Sequence, residues 1–364
     1  MKRITGLDLV RFIAVLFVPS VHFFLNNGFY ETNVKGIGMF ISILFRWLFY
    51  IGVPLFMLLT GYLKRNDKLD KKYYKRIINI LLSYIFISII CILFRKIYLG
   101  ENIRILKMII SIFDFTACGY AWYVEMYIGL FLIIPFLNIL YNSLDTKKKK
   151  QYLILTLISI CSIYPLVNYL YIDKIKLEII PDWWSILYPY IYYFIGAYIN
   201  EYQVEIKKKK GIFIFVGILL LETILTYIYS YNDIFSKSFL GGYNSLLVII
   251  MSTIFFLLIY KTDIKNKIIS KIITNISKLS LDIYLFSYIV DLIIYKNLDN
   301  YLKTPIEYLK FMMPIVLIVF VISYLLAIIK YMIFKTAKKI ISWFIIFLLL
   351  FYFYPFQFHG IHPF

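Results

Sequence analysis

The stretch KKKKGIFIFVGILLLETILTYIY (207–229) sets four lysines against a long apolar run whose only charge is Glu222. About 20 such residues, coiled as a helix, cross the ~30 Å hydrocarbon core of a bilayer. The pattern recurs at KKKKQYLILTLISICSIYPL (147–166) and, with shorter basic clusters, along the whole chain. Composition agrees: of 364 residues, 62% are hydrophobic, 20% aromatic and 16% charged. Soluble domains run nearer half apolar and about a quarter charged. With 35 Tyr and 33 Phe, a water-soluble fold would have little left for its surface. The same numbers exclude a disordered chain, and three Cys exclude a disulfide scaffold. A net charge of +19 would suit nucleic acid if it formed one face. The Lys and Arg instead sit in short clusters between apolar runs, as membrane loops do. The sequence therefore predicts an all-α, polytopic transmembrane bundle that binds no nucleic acid.

Apolar runs of spanning length fall roughly at 7–25, 38–62, 77–98, 122–141, 152–170, 186–200, 211–229, 242–260, 279–295, 311–334 and 340–356. That predicts about ten to eleven helices. The first run carries Asp8 and Arg11 and lacks a small-residue cleavage site, so it reads as a mature helix rather than a signal peptide. With the N-terminus cytoplasmic, both tetralysines and the basic segment KRNDKLDKKYYKR (64–76) fall inside, as the positive-inside rule requires. The chain reads as one membrane-embedded domain, 1–364. Its core ends at about 335, and 336–364 supply an extra helix and a short tail. The outer loop at 97–120 has apolar residues at helical spacing and is expected to lie along the interface. Cys91, Cys118 and Cys161 show neither disulfide nor metal-ligand spacing and read as buried thiols. No metal is expected, and the HGIH tail (359–362) reads as a frayed end.

An ionisable side chain at membrane depth costs about 2.5–3.5 kcal/mol on insertion scales and so calls for a reason. Asp8, Arg11 and His22 share the first span, Arg46 lies in the second, Glu125 in the fourth, and Glu222, Asp282 and Asp291 in later ones. Glu222 is expected to pair across helices, and Asp282, near the inner end, to be hydrated. Arg11 and His22 are eleven residues apart, close to three turns, so they share a face about 16 Å apart along the axis. Asp8, three residues before Arg11, can pair with it. Imidazole can take a proton from a hydroxyl near neutral pH. A guanidinium near the inner side suits a phosphate. Together they point to an anionic donor from inside and a hydroxyl acceptor from outside. Arg76, entering the third span, is the donor-side candidate of the basic loop. The outer aromatic segments at 120–123 and 181–184 read as an interfacial belt, or as platforms for sugar rings.

The opening helix GLDLVRFIAVLFVPSVH (6–22), with Arg followed ten residues later by His, resembles the signature of the acyltransferase-3 family of bacterial membrane O-acyltransferases. Four further segments resemble that family in order: VPLFMLLTGY (53–62), YYKRI (73–77), AWYVEMYIGLFLIIP (121–135) and YYFIGA (192–197). The resemblance implies transfer of an acyl group, usually acetyl, from cytoplasmic acyl-CoA to a hydroxyl of an extracytoplasmic or lipid-linked glycan. Site residues implied on this chain are His22 as the catalytic histidine, Arg11 as its signature partner, and Arg76 with Lys72 and Lys75 around the donor's phosphates. Glu125 is the residue expected to orient His22 or the acceptor. Where the family commonly has a second His, this chain has Ser287.

The expected protein is thus a stand-alone O-acetyltransferase of surface-polysaccharide biosynthesis, multi-pass in a bacterial cytoplasmic membrane, using acetyl-CoA as co-substrate. Direct transfer and an acyl-enzyme on His22 both stay open. A transporter or flippase of a polar or lipid-linked sugar should show repeated halves with broken helices, and none is visible. A polyprenyl-phosphate glycosyltransferase would want acidic residues in the first outer loop, where Glu31 stands alone. The third alternative is a scaffold of a polysaccharide assembly complex with a decayed site, which Ser287 leaves open.

Overall fold

A computed structural model describes residues 4–167, 171–172, 175–176, 179–236 and 242–353. The helices run, in order, α1 (Thr5–His22), α2 (Gly36–Tyr50), α3 (Gly52–Lys64), α4 (Lys71–Lys75), α5 (Ile77–Ile97), α6 (Ile105–Phe113), α7 (Trp122–Ser143), α8 (Lys147–Val167), α9 (Tyr188–Tyr202), α10 (Lys208–Tyr229), α11 (Leu246–Ile259), α12 (Lys267–Lys278), α13 (Ser280–Leu298), α14 (Pro305–Lys310) and α15 (Met312–Phe353). A two-stranded antiparallel pairing of Tyr171–Ile172 with Ile175–Lys176 is the one sheet among the described residues. The protein is an all-α, multi-pass membrane bundle.

Six stretches among the described residues are long and apolar enough to cross a membrane unaided. They are Thr5–Leu25, Gly36–Lys64, Lys71–Ile97, Trp122–Ser143, Lys208–Tyr229 and Met312–Thr336. The second is α2 and α3 end to end, broken at Ile51 because Pro54 has no N–H to give the Tyr50 carbonyl. The remaining spans predicted from sequence correspond to α8, α9, α11 and α13, which are shorter or more polar. Most of α9 and α13 is buried against protein, so their side chains need not suit lipid. Helices at the rim of the bundle show the opposite pattern. On α5, Ile78, Leu82, Ile85, Ile89 and Leu93 are exposed at spacings of three and four, one continuous apolar stripe.

The runs at 311–334 and 340–356 were expected as separate spans; residues 312–353 form one continuous α15 of 42 residues. No Gly or Pro lies between the two runs to break the ladder of backbone hydrogen bonds, so the helix runs on. The expected interfacial helix is α6, whose Ile105, Leu106 and Phe113 are exposed. The three thiols are free and buried, as expected.

Two junctions position the site. α3 and α9 pack backbone to backbone, with Gly61 over the Tyr193 carbonyl and Gly196 over the Leu58 carbonyl. Small residues are what allow helices in lipid to approach this closely. α1 lies in the interior, against α2, α3, α12 and α13. Gly6 seats its inner end on the Tyr260 carbonyl.

Candidate functional site

At the lysine-rich end of α1, Asp8 is buried and Arg11 half-buried. Ser277 on α12 joins them: its hydroxyl donates to Asp8 at 2.7 Å and accepts from the Arg11 guanidinium at 3.4 Å. Thr274 donates a second bond to Asp8 at 3.3 Å. α12 is therefore what fixes the direction of Arg11. Sequence reading missed this helix, although its alternation of Lys and Ile is a clear amphipathic signal.

Arg11 opens onto a cavity of about 410 Å³, within the range of small-molecule sites. Asn79, Lys278 and Ser280 line its basic end, and Val18, Tyr123, Val124 and Tyr284 line its far end. α3 supplies a wall through Val53, Phe56, Leu59 and Thr60. Ser83 and Asp282 also reach the lining. Asp282, expected to be hydrated, is buried and ion-paired. Lys330 of α15 pairs with both its oxygens, at 2.8 and 2.9 Å, and Ser83 bonds to both Asp282 and Lys330. Asp282 and Lys330 are 48 residues apart, too far for any pattern in the sequence to couple them.

One turn beyond Val18, at the C-terminal end of α1, stands His22, 6% exposed. The Tyr120 ring covers it, centroid to centroid at 3.6 Å. The Tyr120 hydroxyl donates to Asp291 Oδ2 at 2.8 Å and accepts from Asn26 Nδ2 at 3.1 Å. The Tyr284 hydroxyl bonds the Tyr120 carbonyl, tying this cover to the cavity wall. Asp291 Oδ2 lies 3.9 Å from His22 Nδ1. His22 Nδ1, Asp291 Oδ1 and the hydroxyl of Tyr295 are buried atoms with no hydrogen-bond partner among the described residues. Such atoms are uncommon in native interiors and costly.

Arg11 lines the cavity, and His22 stands on the same helix one turn beyond Val18, outside the lining. The structure does not bring Glu125 to His22. Glu125 is exposed on the outer face of α7, and the carboxylate beside the imidazole is that of Asp291. α7 turns Val124 to the bundle at that level, which sends its neighbour outward. Arg76, Lys72 and Lys75 are exposed at the basic end. Arg76 pairs with Asp67 at 3.1 Å and lies over the Tyr73 ring. None of the three lines the cavity, whose mouth begins one turn later at Asn79. Ser287 gives its hydroxyl to the Tyr284 carbonyl of its own helix at 2.8 Å.

The remaining intramembrane charges lie elsewhere. Arg46 is 1% exposed, enclosed by the rings of Trp47, Tyr50 and Phe235 with its carbon 4.1–4.9 Å from their centres, and its Nε donates to Tyr30 at 3.3 Å. Glu222, expected to pair across helices, is fully buried and accepts no hydrogen bond among the described residues. Trp183 of the second aromatic segment is exposed. The HGIH tail lies outside the described residues, which contain no cluster able to hold a metal.

A family model described as an acyltransferase domain matches residues 4–324. No curated protein and no solved structure matches the chain. The match runs from α1 into the first half of the Met312–Thr336 span of α15, and so includes the Arg11–His22 helix, the cavity and the residues around Tyr120. On that coverage the chain belongs to the acyltransferase-3 family and is a membrane acyltransferase.

Proposed function

We propose that this acyltransferase moves a short acyl group, most simply acetyl, from cytoplasmic acyl-CoA to a hydroxyl of an extracytoplasmic or lipid-linked glycan in a bacterial cytoplasmic membrane. The carrying observation is the cavity that starts among Arg11, Asn79 and Lys278 and reaches Val18, one turn of α1 short of His22 and its Tyr120 cover. Its basic mouth suits the phosphates of a coenzyme A thioester. Lys72, Lys75 and Arg76 extend that charge outward, the lysines as point charges and Arg76 as a planar fork. Its apolar length, between Phe56, Val53 and Val18, suits the thin pantetheine arm.

Transfer then needs one bond made and one broken. His22 takes the proton of the acceptor hydroxyl as that oxygen forms a C–O bond to the thioester carbonyl carbon. The C–S bond breaks, and the proton passes to the departing thiolate. A placed base of this kind contributes about 10²–10⁴-fold to a rate. Stacked aromatic side chains at the outer end, Trp122, Tyr188 and Tyr243, offer the kind of faces on which sugar rings rest.

The test uses purified protein in nanodiscs with radiolabelled acetyl-CoA and native membranes as the acceptor source. His22→Ala is expected to lower label transfer at least about a hundredfold while leaving acetyl-CoA binding in place. Transfer at the wild-type rate by His22→Ala would remove His22 as the base. Failure of the wild type to bind any acyl-CoA would remove the donor.

A further inference from the structure

We infer that Asp291 is the positioning residue of His22: it holds the imidazole with Nδ1 protonated and turned to α13, so that Nε2 is the atom that takes the acceptor's proton. The inference rests on the proposed role of His22 as the base.

The geometry that carries it spans three elements distant in sequence. Asp291 is 1% exposed on α13 and is the carboxylate within ion-pair distance of His22. A carboxylate that only filled space in the bundle would be expected to have both oxygens satisfied. Here Oδ2 is fixed by the Tyr120 hydroxyl while Oδ1 has no partner, and His22 Nδ1 has none either. Each of the two neighbouring side chains thus keeps an unmet polar atom. The carboxylate oxygen Oδ2 lies 3.9 Å from Nδ1, about 1 Å too long for a hydrogen bond. Contacts of this kind tighten when substrate binds, or close through one water.

Tyr120 keeps the pair aligned. Its ring lies against the imidazole while its hydroxyl holds Asp291, and Asn26 bridges that hydroxyl to the His22 carbonyl at 2.8 Å. Imidazole and carboxylate are thus set by one side chain. Two consequences follow for transfer. A fixed Nδ1–H tautomer keeps the Nε2 lone pair available, and the carboxylate stabilises the imidazolium formed when the proton arrives. Glu125 can do neither, since it faces away from the bundle.

The experiment combines kinetics with the tautomer of His22. The chain has three His, so replacing His359 and His362 leaves a single imidazole for ¹⁵N spectroscopy in nanodiscs. Wild-type His22 is expected as the Nδ1–H tautomer. Asp291→Asn should lower kcat for acetyl transfer by about 10²–10⁴-fold with the KM for acetyl-CoA within twofold, and should lose the tautomer preference. Asp291→Glu should restore part of kcat. Tyr120→Phe should lower kcat by less, because Asp291 stays in place but is no longer tied. An Nε2–H tautomer in the wild type would overturn the inference, and it decides the matter even if Asp291→Asn does not fold. So would wild-type kcat in a folded Asp291→Asn while His22→Ala is inactive; that outcome leaves His22 as the base and removes only Asp291. An active His22→Ala removes both.

Discussion

Replacing Gly61 by Ala adds a single methyl group, and the structure says where it goes. A Cβ at that position would lie 2.0 Å from the Tyr193 carbonyl oxygen, 2.8 Å from its carbon and 2.9 Å from its Cα. Ordinary contact begins near 3.4 Å. All three atoms are backbone, so no rotamer change relieves the clash, and α3 and α9 must separate by roughly 1 Å or more. Overpacking of this kind costs about 1–3 kcal/mol, occasionally more, against a gain of about 1 kcal/mol for Ala over Gly inside a helix. The expected result is a net loss of stability, seen as a lower apparent Tm when heated, detergent-solubilised protein is followed by size exclusion. Gly129→Ala on α7 and Gly217→Ala on α10 are the controls. Nothing lies within 4 Å of either new Cβ, so the propensity gain stands alone and the apparent Tm should hold or rise. Because α3 also walls the cavity through Phe56, Leu59 and Thr60, Gly61→Ala should weaken donor binding as well. Equal Tm values for Gly61→Ala and Gly129→Ala would show that the helices do not approach as closely as described here.

Two further outcomes are expected. Lys330→Met leaves Asp282 buried and uncompensated and should destabilise the fold by about 3–5 kcal/mol, whereas pairing it with Asp282→Leu should recover most of that loss; thermal stability of the three proteins decides it, and a double variant no better than the single would refute the pairing. Arg76→Ala should raise the KM for acetyl-CoA severalfold with kcat unchanged, because its side chain is half exposed at the mouth and outside the cavity; an unchanged KM would separate Arg76 from the donor path.

Much of this protein was legible in one dimension because lipid leaves few choices. A segment in hydrocarbon must satisfy its own backbone, which only helices and closed barrels do, and lysines resist crossing. Runs of apolar residues therefore specify the all-α, multi-pass bundle directly. The shared face of Arg11 and His22 was equally readable, because it depends only on helical pitch within one element. Hydropathy marks 340–356 as suited to lipid but does not say whether a turn precedes it; α15 runs from Met312 to Phe353 as one helix. Contacts between helices are another matter. Asp282 with Lys330, Asp8 with Ser277, and His22 with Tyr120 and Asp291 join residues from about 50 to 270 positions apart. Which carboxylate faces the imidazole depends on how α7 and α13 are rotated about their own axes. That rotation is set by packing between helices, such as the Tyr284 hydroxyl on the Tyr120 carbonyl, and no periodicity along a single helix records it. For that reason Glu125 and Asp291 were equivalent as letters in a sequence, and only the tertiary structure put one on the exposed face of α7 and the other beside His22.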